Sequence, residues 1–396
     1  MKYIVLIIDG AAGLPLPERG NKTCLELAET PNLDAMAREG MIGLVRTIPD
    51  GIEASSANAC MSVLGYNPKD YPVGRAAIEA KSMGISINPG EVLFRCNLVT
   101  IEDGKMKDYS AGRIRTEEAV QLIEAVNRSL GSDSVRFYPG LNYRHILKIR
   151  GREDTLEAEC TPPHDISGRP IAGYLPRGPG SDVLVDLMKR SEKVLGEHPV
   201  NIARQSRGKV PANMLWLFWG SLKEPDVPVF KTAYGLDAAV TSAVDVILGM
   251  AKMMDIDILE IAGVTDGMNN NFSGQVAGAL TALEKYDMVI IHVEAPDEAA
   301  HGGNIDEKIE AIRIIDSEIV GQLRARPGDD LRVLIMPDHP TPIETRTHSP
   351  APVPFMLWGK GFSSNGRDRY TESQATKTGL LIDPGYNIMD FLVKGK

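Results

Sequence analysis

The chain has 396 residues, too many for one ordinary core, which points to about two domains. Its 43% apolar and 24% charged residues are ordinary for a globular protein, so disorder is not expected. The formal net charge of -10 argues against nucleic acid or an anionic membrane as the main partner. An anionic substrate stays open, because a local cluster of metals and arginines can outweigh a global charge.

Taken from the N-terminus, Tyr3–Ile8 is a short apolar run that ends at Asp9-Gly10 with no small-residue cleavage site after it. It reads as a buried strand and not as a signal peptide. No later segment reaches the roughly 18 apolar residues that a bilayer span needs. A helix is expected over Asn32–Glu39. Next, Glu53-Ala54-Ser55-Ser56-Ala57-Asn58-Ala59-Cys60 sets two serines among small residues ahead of Met61-Ser62-Val63-Leu64. Small neighbours let a tetrahedral phosphate approach the backbone, and a helix starting here aims free N–H groups at an anion. A serine hydroxyl becomes a useful nucleophile once a metal lowers its pKa. Taken alone, the same serines also suit a helix cap with no chemistry.

From about Arg75 to about Pro211 the candidate metal ligands vanish, while Pro, Gly and Arg become frequent, as in Pro176-Arg177-Gly178-Pro179-Gly180. This stretch reads as an insert: residues 75–221 form a second domain, and 1–74 with 222–396 form the first. Helices are expected over Ala238–Met253, Phe272–Glu284 and Ile305–Arg324. Strands are expected over Asp287–Val293, Leu331–Met336 and Pro354–Trp358. Fully apolar strands alternating with helices indicate an α/β fold with a mostly parallel sheet sandwiched by helices. In such sheets ligands bind outside the carboxyl ends of the strands. Asp9, Asp297, Asp338 and His339 all fall at such ends. The four cysteines, Cys24, Cys60, Cys96 and Cys160, form no C-x-x-C pair and read as reduced thiols of a cytoplasmic protein.

The chemistry gathers late in the chain. Asp297 and His301 are four apart, so one helical turn presents both on one face. A carboxylate and an imidazole at this spacing can ligate one divalent ion. Asp338-His339 directly follows a strand, and His348 lies in a Pro-rich loop. Each fragment alone has an ordinary reading: a solvated helix start, a polar turn, a surface imidazole. Together they weigh more, because the chain has only seven histidines and three of them stand beside these aspartates. With Asp9, three Asp and three His can hold two ions sharing a bridging oxygen. Such a pair stabilises the attacking and leaving oxygens of an in-line phosphoryl displacement. Mixed carboxylate, imidazole and hydroxyl ligation suits manganese first, with zinc, cobalt or magnesium as alternatives.

Several longer stretches carry a family likeness: Leu64-Gly65-Tyr66-Asn67-Pro68, Gly74-Arg75-Ala76-Ala77-Ile78-Glu79-Ala80, Phe94-Arg95-Cys96-Asn97-Leu98-Val99-Thr100 and Asp108-Tyr109-Ser110-Ala111-Gly112. Tyr143-Arg144-His145, Pro211-Ala212-Asn213, His292-Val293-Glu294-Ala295-Pro296-Asp297-Glu298 and Pro337-Asp338-His339-Pro340-Thr341-Pro342 add to them. In this order, over nearly the whole chain, they resemble the archaeal-type branch of the cofactor-independent phosphoglycerate mutases, within the alkaline phosphatase superfamily.

The resemblance implies a phosphatase-like α/β domain carrying an inserted α/β domain. It implies one metal on Asp297, His301 and His348, and another on Asp9, Ser56, Asp338 and His339. Ser56 would be the nucleophile, and 3-phosphoglycerate and 2-phosphoglycerate would interconvert through a phosphoserine without bisphosphoglycerate. The insert would supply Arg75, Arg95, Arg144 and Arg169 to clamp a small phosphorylated metabolite. His164-Asp165 would be an acid/base or orienting pair, and Lys231 a cation near the phosphoryl group. Two departures keep alternatives open. The family's Gly-Ser-Asp is Ala54-Ser55-Ser56-Ala57 here, which leaves Ser55 as a second candidate nucleophile. Arg113 stands where the family often has His, which leaves another phosphorylated substrate open. A homoserine kinase-like phosphotransferase and a metal-dependent phosphomonoesterase are the alternative activities.

Overall fold

In a computed structural model describing residues 1–72, 74–222, 226–326 and 330–395, thirteen strands follow one another. They are β1 (Lys2–Ile8), β2 (Met41–Val45), β3 (Glu91–Glu102), β4 (Lys105–Asp108), β5 (Val135–Tyr138), β6 (Arg144–Arg150) and β7 (Met214–Ser221). Then come β8 (Ala238–Thr241), β9 (Asp257–Ile258), β10 (Met288–Val293), β11 (Leu331–Met336), β12 (Val353–Gly359) and β13 (Leu381–Ile382). The chain forms two compact units, Met1–Pro72 with the chain from Asp226 onward, and the residues between them.

The first unit holds an eight-stranded sheet in the order β13-β2-β12-β11-β1-β10-β8-β9. Strands β11, β1, β10, β8 and β9 run parallel, and β12 pairs antiparallel with both β11 and β2. Strands β1 and β10 are buried almost end to end, as their unbroken apolar sequences require when helices cover both faces. Register then sets the chemistry. Ile8 lies opposite Val293 and Ile7 opposite Met336, so the residues leaving β1, β10 and β11 emerge at one edge.

The helices follow their caps. Thr30 precedes the helix Pro31–Glu39, which starts with Pro in its first turn, and Ser55 caps Ser56–Val63. Asn304 caps Ile305–Ile314. The long helix expected over Ile305–Arg324 continues to Ala325 but carries a π-helical segment over Ile315–Val320. Buried Asp316 lies in that segment and accepts bonds from the Leu33 and Asn32 backbone N–H groups, so it caps the Pro31–Glu39 helix from a distance. The expected helix Ala238–Met253 is corrected: its first four residues are strand β8, and the helix begins at Asp245. Ala238 and Ala239 favour helix locally, but the ladder to β10 offers them full burial, and tertiary pairing wins.

In the second unit β3 is the central strand, antiparallel to β4, β6 and β7. One face of this sheet packs Phe94, Cys96 and Leu98 with Leu122, Leu184 and Met188 from the helices Thr116–Leu130 and Ser181–Gly196. The other face packs Leu93 and Ile146 against Ala76 and Ala80 of the helix Arg75–Ser82. Among the described residues, no helix is long and apolar enough to cross a membrane.

Candidate active site

Each ligand candidate reaches the sheet edge by a local device. Asp9 is the first residue beyond β1, and Gly10 follows it at φ 61. A Cβ at Gly10 would stand 2.3 Å from Asp297 Oδ1, so glycine is what lets Asp297 come this close. Asp338 uses Oδ1 to accept the His339 N–H at 2.8 Å and the Gly10 N–H at 3.3 Å. Its Oδ2 is thereby turned toward His339 Nε2, 3.2 Å away, with the Cys60 thiol donating to it at 3.7 Å. Asp297 and His301 share one turn of the helix Ala295–His301.

Asp297, His301 and His348 converge. His301 Nε2 is 3.0 Å and His348 Nε2 3.7 Å from Asp297 Oδ2, and the two Nε2 atoms are 3.0 Å apart. His301 Nδ1 lies 2.8 Å from the Arg346 carbonyl and His348 Nδ1 3.3 Å from the Ala54 carbonyl. Carbonyls only accept, so each Nδ1 carries a proton and each Nε2 is the nitrogen offered to the centre. Burial opposes charge on His301, yet Asp297 outweighs it and raises the His301 pKa to about 9. Burial likewise works against ionised Asp297, but His301 and His348 hold it well below the usual carboxylate range. A proton thus sits where a cation fits.

Beside it lies a second group, Asp9, Asp338 and His339, all fully buried. His339 Nε2 is 3.6 Å from Asp9 Oδ1 and 3.1 Å from Ser56 Oγ. The His339 and His348 rings stack with centroids 3.9 Å apart, so the two groups adjoin. Sequence reasoning missed a third group, Asp9, His292 and Glu294. Asp9 Oδ2 meets His292 Nε2 at 3.0 Å, and His292 Nδ1 meets Ser242 Oγ at 3.1 Å. The available signal was a histidine inside an otherwise apolar buried strand, with Glu294 just beyond its end.

The electrostatics test whether metals fit. Burial first, then Asp338, Glu294 and Asp297, push the Asp9 pKa well up. Burial raises Glu294 to about 8 and lowers His292 and His339 to about 4. Asp9 Oδ1 and Glu294 Oε2 are buried with no hydrogen-bond partner. Carboxylates packed together, orphaned oxygens and neutral imidazoles form a donor set that needs divalent cations to be stable while ionised.

Ser55 and Ser56 separate by role. Ser55 Oγ accepts the Asn58 N–H as the helix cap, while Ser56 Oγ faces His339. Ser56 is also the first residue of its helix.

The second unit gathers cations. Glu79 lies 3.3 Å from Arg75 and 2.9 Å from Arg95, so two guanidiniums share one carboxylate. Burial, with Arg75 and Arg144 nearby and Glu79 opposing, lowers the Arg95 pKa to about 10. Arg75 stacks on Trp219 at 4.7 Å and Arg144 on Tyr143 at 5.0 Å. His164 packs near Trp219 and Tyr109, with Nε2 3.7 Å from Asp165 Oδ1. Arg169 instead donates to the Tyr174 hydroxyl at 3.3 Å. Arg113 lines a cavity of about 500 Å³ with Lys107, Tyr109, Ser110 and Ser167. Its loop is held by fully buried Arg204, which donates to the Ala111 carbonyl at 2.6 Å.

Lys231 is not brought to this chemistry. Its Nζ donates to Asp237 at 2.7 Å, just before β8, and β8 runs parallel to β1 through β10. That is the amino edge of the sheet, roughly 20 Å from Asp9 by strand rise.

A family profile described as 2,3-bisphosphoglycerate-independent phosphoglycerate mutase matches residues 37–201. A protein of that name from Methanothrix thermoacetophila is 44% identical, with 100% of both chains covered. Among solved structures, a Pyrococcus horikoshii protein superposes with a TM-score of 0.81 at 27% identity, covering 100% of this chain and 97% of that one. A cofactor-independent phosphoglycerate mutase from Thermoplasma acidophilum does so with a TM-score of 0.62 at 26% identity, covering 100% and 99%.

Proposed function

Because the chain belongs to the 2,3-bisphosphoglycerate-independent phosphoglycerate mutase family, we propose that it interconverts 3-phosphoglycerate and 2-phosphoglycerate through a phosphoserine on Ser56. The observation that carries this reading is Ser56 Oγ, 3.1 Å from His339 Nε2 and at the first turn of a helix, beside two adjoining ligand groups. Ser55 is occupied as a cap, which favours Ser56 as the nucleophile.

Two divalent cations, manganese before zinc, cobalt or magnesium, would supply the positive charge that stabilises the attacking and leaving oxygens. Asp297, His301 and His348 would hold one, and Asp9, Ser56, Asp338 and His339 the other. The rest is the chain's own work. Ser56 Oγ forms a bond to phosphorus as the bond from phosphorus to the 3-oxygen breaks. The proton that Ser56 loses is matched by the one the freed glycerate oxygen gains. The 2-hydroxyl then gives up its proton, takes the phosphoryl group, and Ser56 leaves as a hydroxyl. We assign the proton transfers to His164, oriented by Asp165. Arg75 and Arg95, which share the Glu79 carboxylate, and Arg144, close enough to act on Arg95, have the net charge to hold the phosphate and carboxylate of the substrate. Arg169 would contribute at the margin. The phosphoserine must be kept from water, or it hydrolyses. The cytoplasm is the compartment we assign, in keeping with four unpaired thiols.

The test is an enolase-coupled assay of 3-phosphoglycerate without bisphosphoglycerate, before and after EDTA. Turnover that EDTA abolishes is expected. Phosphate release without isomerisation, or ATP consumption with homoserine and no mutase turnover, would replace the reading with a phosphatase or a kinase.

A further inference from the structure

Thr341 is fully buried and stands between the two ligand groups. Its Oγ1 is 2.5 Å from Asp297 Oδ1 and 3.2 Å from His339 Nδ1. Asp297 turns its other oxygen to His301 and His348. His339 turns its other nitrogen to Ser56 and Asp338. One hydroxyl therefore touches a ligand of each group, on the side away from the centre.

A hydroxyl has a single proton to give. An ionised carboxylate only accepts, so the short contact to Asp297 takes that proton. Thr341 Oγ1 is then left as an acceptor, and His339 Nδ1 must carry the hydrogen that completes the second contact. His339 Nε2 is left with a lone pair. Asp338 Oδ2, 3.2 Å from His339 Nε2, draws the ring hydrogen the other way, and it is Thr341, its own proton committed to Asp297, that draws it to Nδ1: His339 Nδ1–H to Thr341, and Thr341 O–H to Asp297. Ser56 donates to the free Nε2 at the far end.

Thr341 is itself held from behind. Its N–H donates to the Ala12 carbonyl at 3.0 Å, and its own carbonyl accepts from Lys308 Nζ at 2.8 Å. Lys308 is fully buried and also donates to the Ala12 carbonyl at 3.1 Å. The loops leaving β1 and β11 are thus stitched together under the hydroxyl.

We propose that Thr341 is a positioning residue that fixes His339 in the tautomer able to ligate through Nε2. The Asp297 carboxylate orders the Thr341 proton, and through it the ligating nitrogen of His339, before any ion binds. An ion entering beside His339 then meets a ready ligand. The effect on ion binding rests on the proposed assignment of His339 as a ligand; the tautomer does not.

Two measurements on the full chain test this. Nitrogen–proton correlation of the imidazoles in metal-free protein should show His339 protonated at Nδ1, and Thr341→Val should give a mixture. Manganese titration should show two bound ions in the wild type. Thr341→Val should weaken binding at the His339 site by about 10-fold, and Thr341→Ser should restore it. His339 protonated at Nε2 in the wild type overturns the proposal without any variant. Manganese binding untouched by Thr341→Val overturns the positioning role. A wild type that binds no manganese overturns the metal reading itself, whatever the tautomer.

Discussion

The Nε2 atoms of His301 and His348 approach to 3.0 Å while each ring gives its Nδ1 hydrogen to a backbone carbonyl. Two lone pairs cannot face each other at that distance unless something positive lies between them. In the metal-free protein the proton on His301 serves, held by Asp297.

That proton makes stability depend on pH in a calculable direction. His301 is raised from 6.5 to about 9, and Glu294 from 4.5 to about 8. Both bind protons more tightly folded than unfolded. Their contribution is present at low pH and is lost as pH rises through those folded values. His292 and His339, lowered from 6.5 to about 4, act oppositely but have finished titrating by about pH 7. Chelated protein should therefore melt at falling temperature from about pH 7 to 9, and manganese should restore most of the loss at the upper end. A flat profile in EDTA would contradict the charge arrangement.

Serine substitutions should divide cleanly. Ser56→Ala is expected to abolish trapping of a phosphoenzyme. Ser55→Ala should retain trapping but cost about 1 kcal/mol in denaturant unfolding, the usual effect of removing a helix cap. Trapping lost in Ser55→Ala and kept in Ser56→Ala would move the nucleophile by one residue.

Gly10→Ala should damage metal binding more than any other small substitution in the β1 loop. The new methyl would collide with Asp297, at a backbone φ of 61. Manganese affinity should fall by at least tenfold, with a stability loss of about 1–3 kcal/mol, read by titration and thermal melting.

Arginine and lysine variants form a contrasting pair. Arg95→Met should raise KM for 3-phosphoglycerate by about 10-fold or more, the worth of a charge-assisted contact. Lys231→Met should leave kcat/KM unchanged, because Lys231 pairs with Asp237 at the other edge of the sheet.

What could be read in the sequence follows from which forces are local. Asp9, Asp338 and His339 were legible because an apolar run ending in a polar residue marks a strand end, and parallel strands end together. Asp297 and His301 were legible through helical spacing. The strand at Ala238–Thr241 was hidden, because alanines carry no pairing signal and its partner β10 lies far along the chain. His292 left a signal, a histidine inside an apolar strand, but neither it nor Thr341 names its remote partner, Asp9 for one and Asp297 for the other. Lys231 was misplaced because a sequence does not say which end of a sheet a loop serves.

The segments that make up the two candidate ion centres begin at Asp9 and finish at His348. β1 pairs only with strands translated much later, β10 and β11. On the ribosome, then, β1 must wait unpaired while the whole intervening unit is made, and Asp9 meets neither His292 nor Asp338 until those residues have followed it out. A chain cut before His348 would hold at most one of the two centres complete, so capture of both ions reports that synthesis has passed that residue.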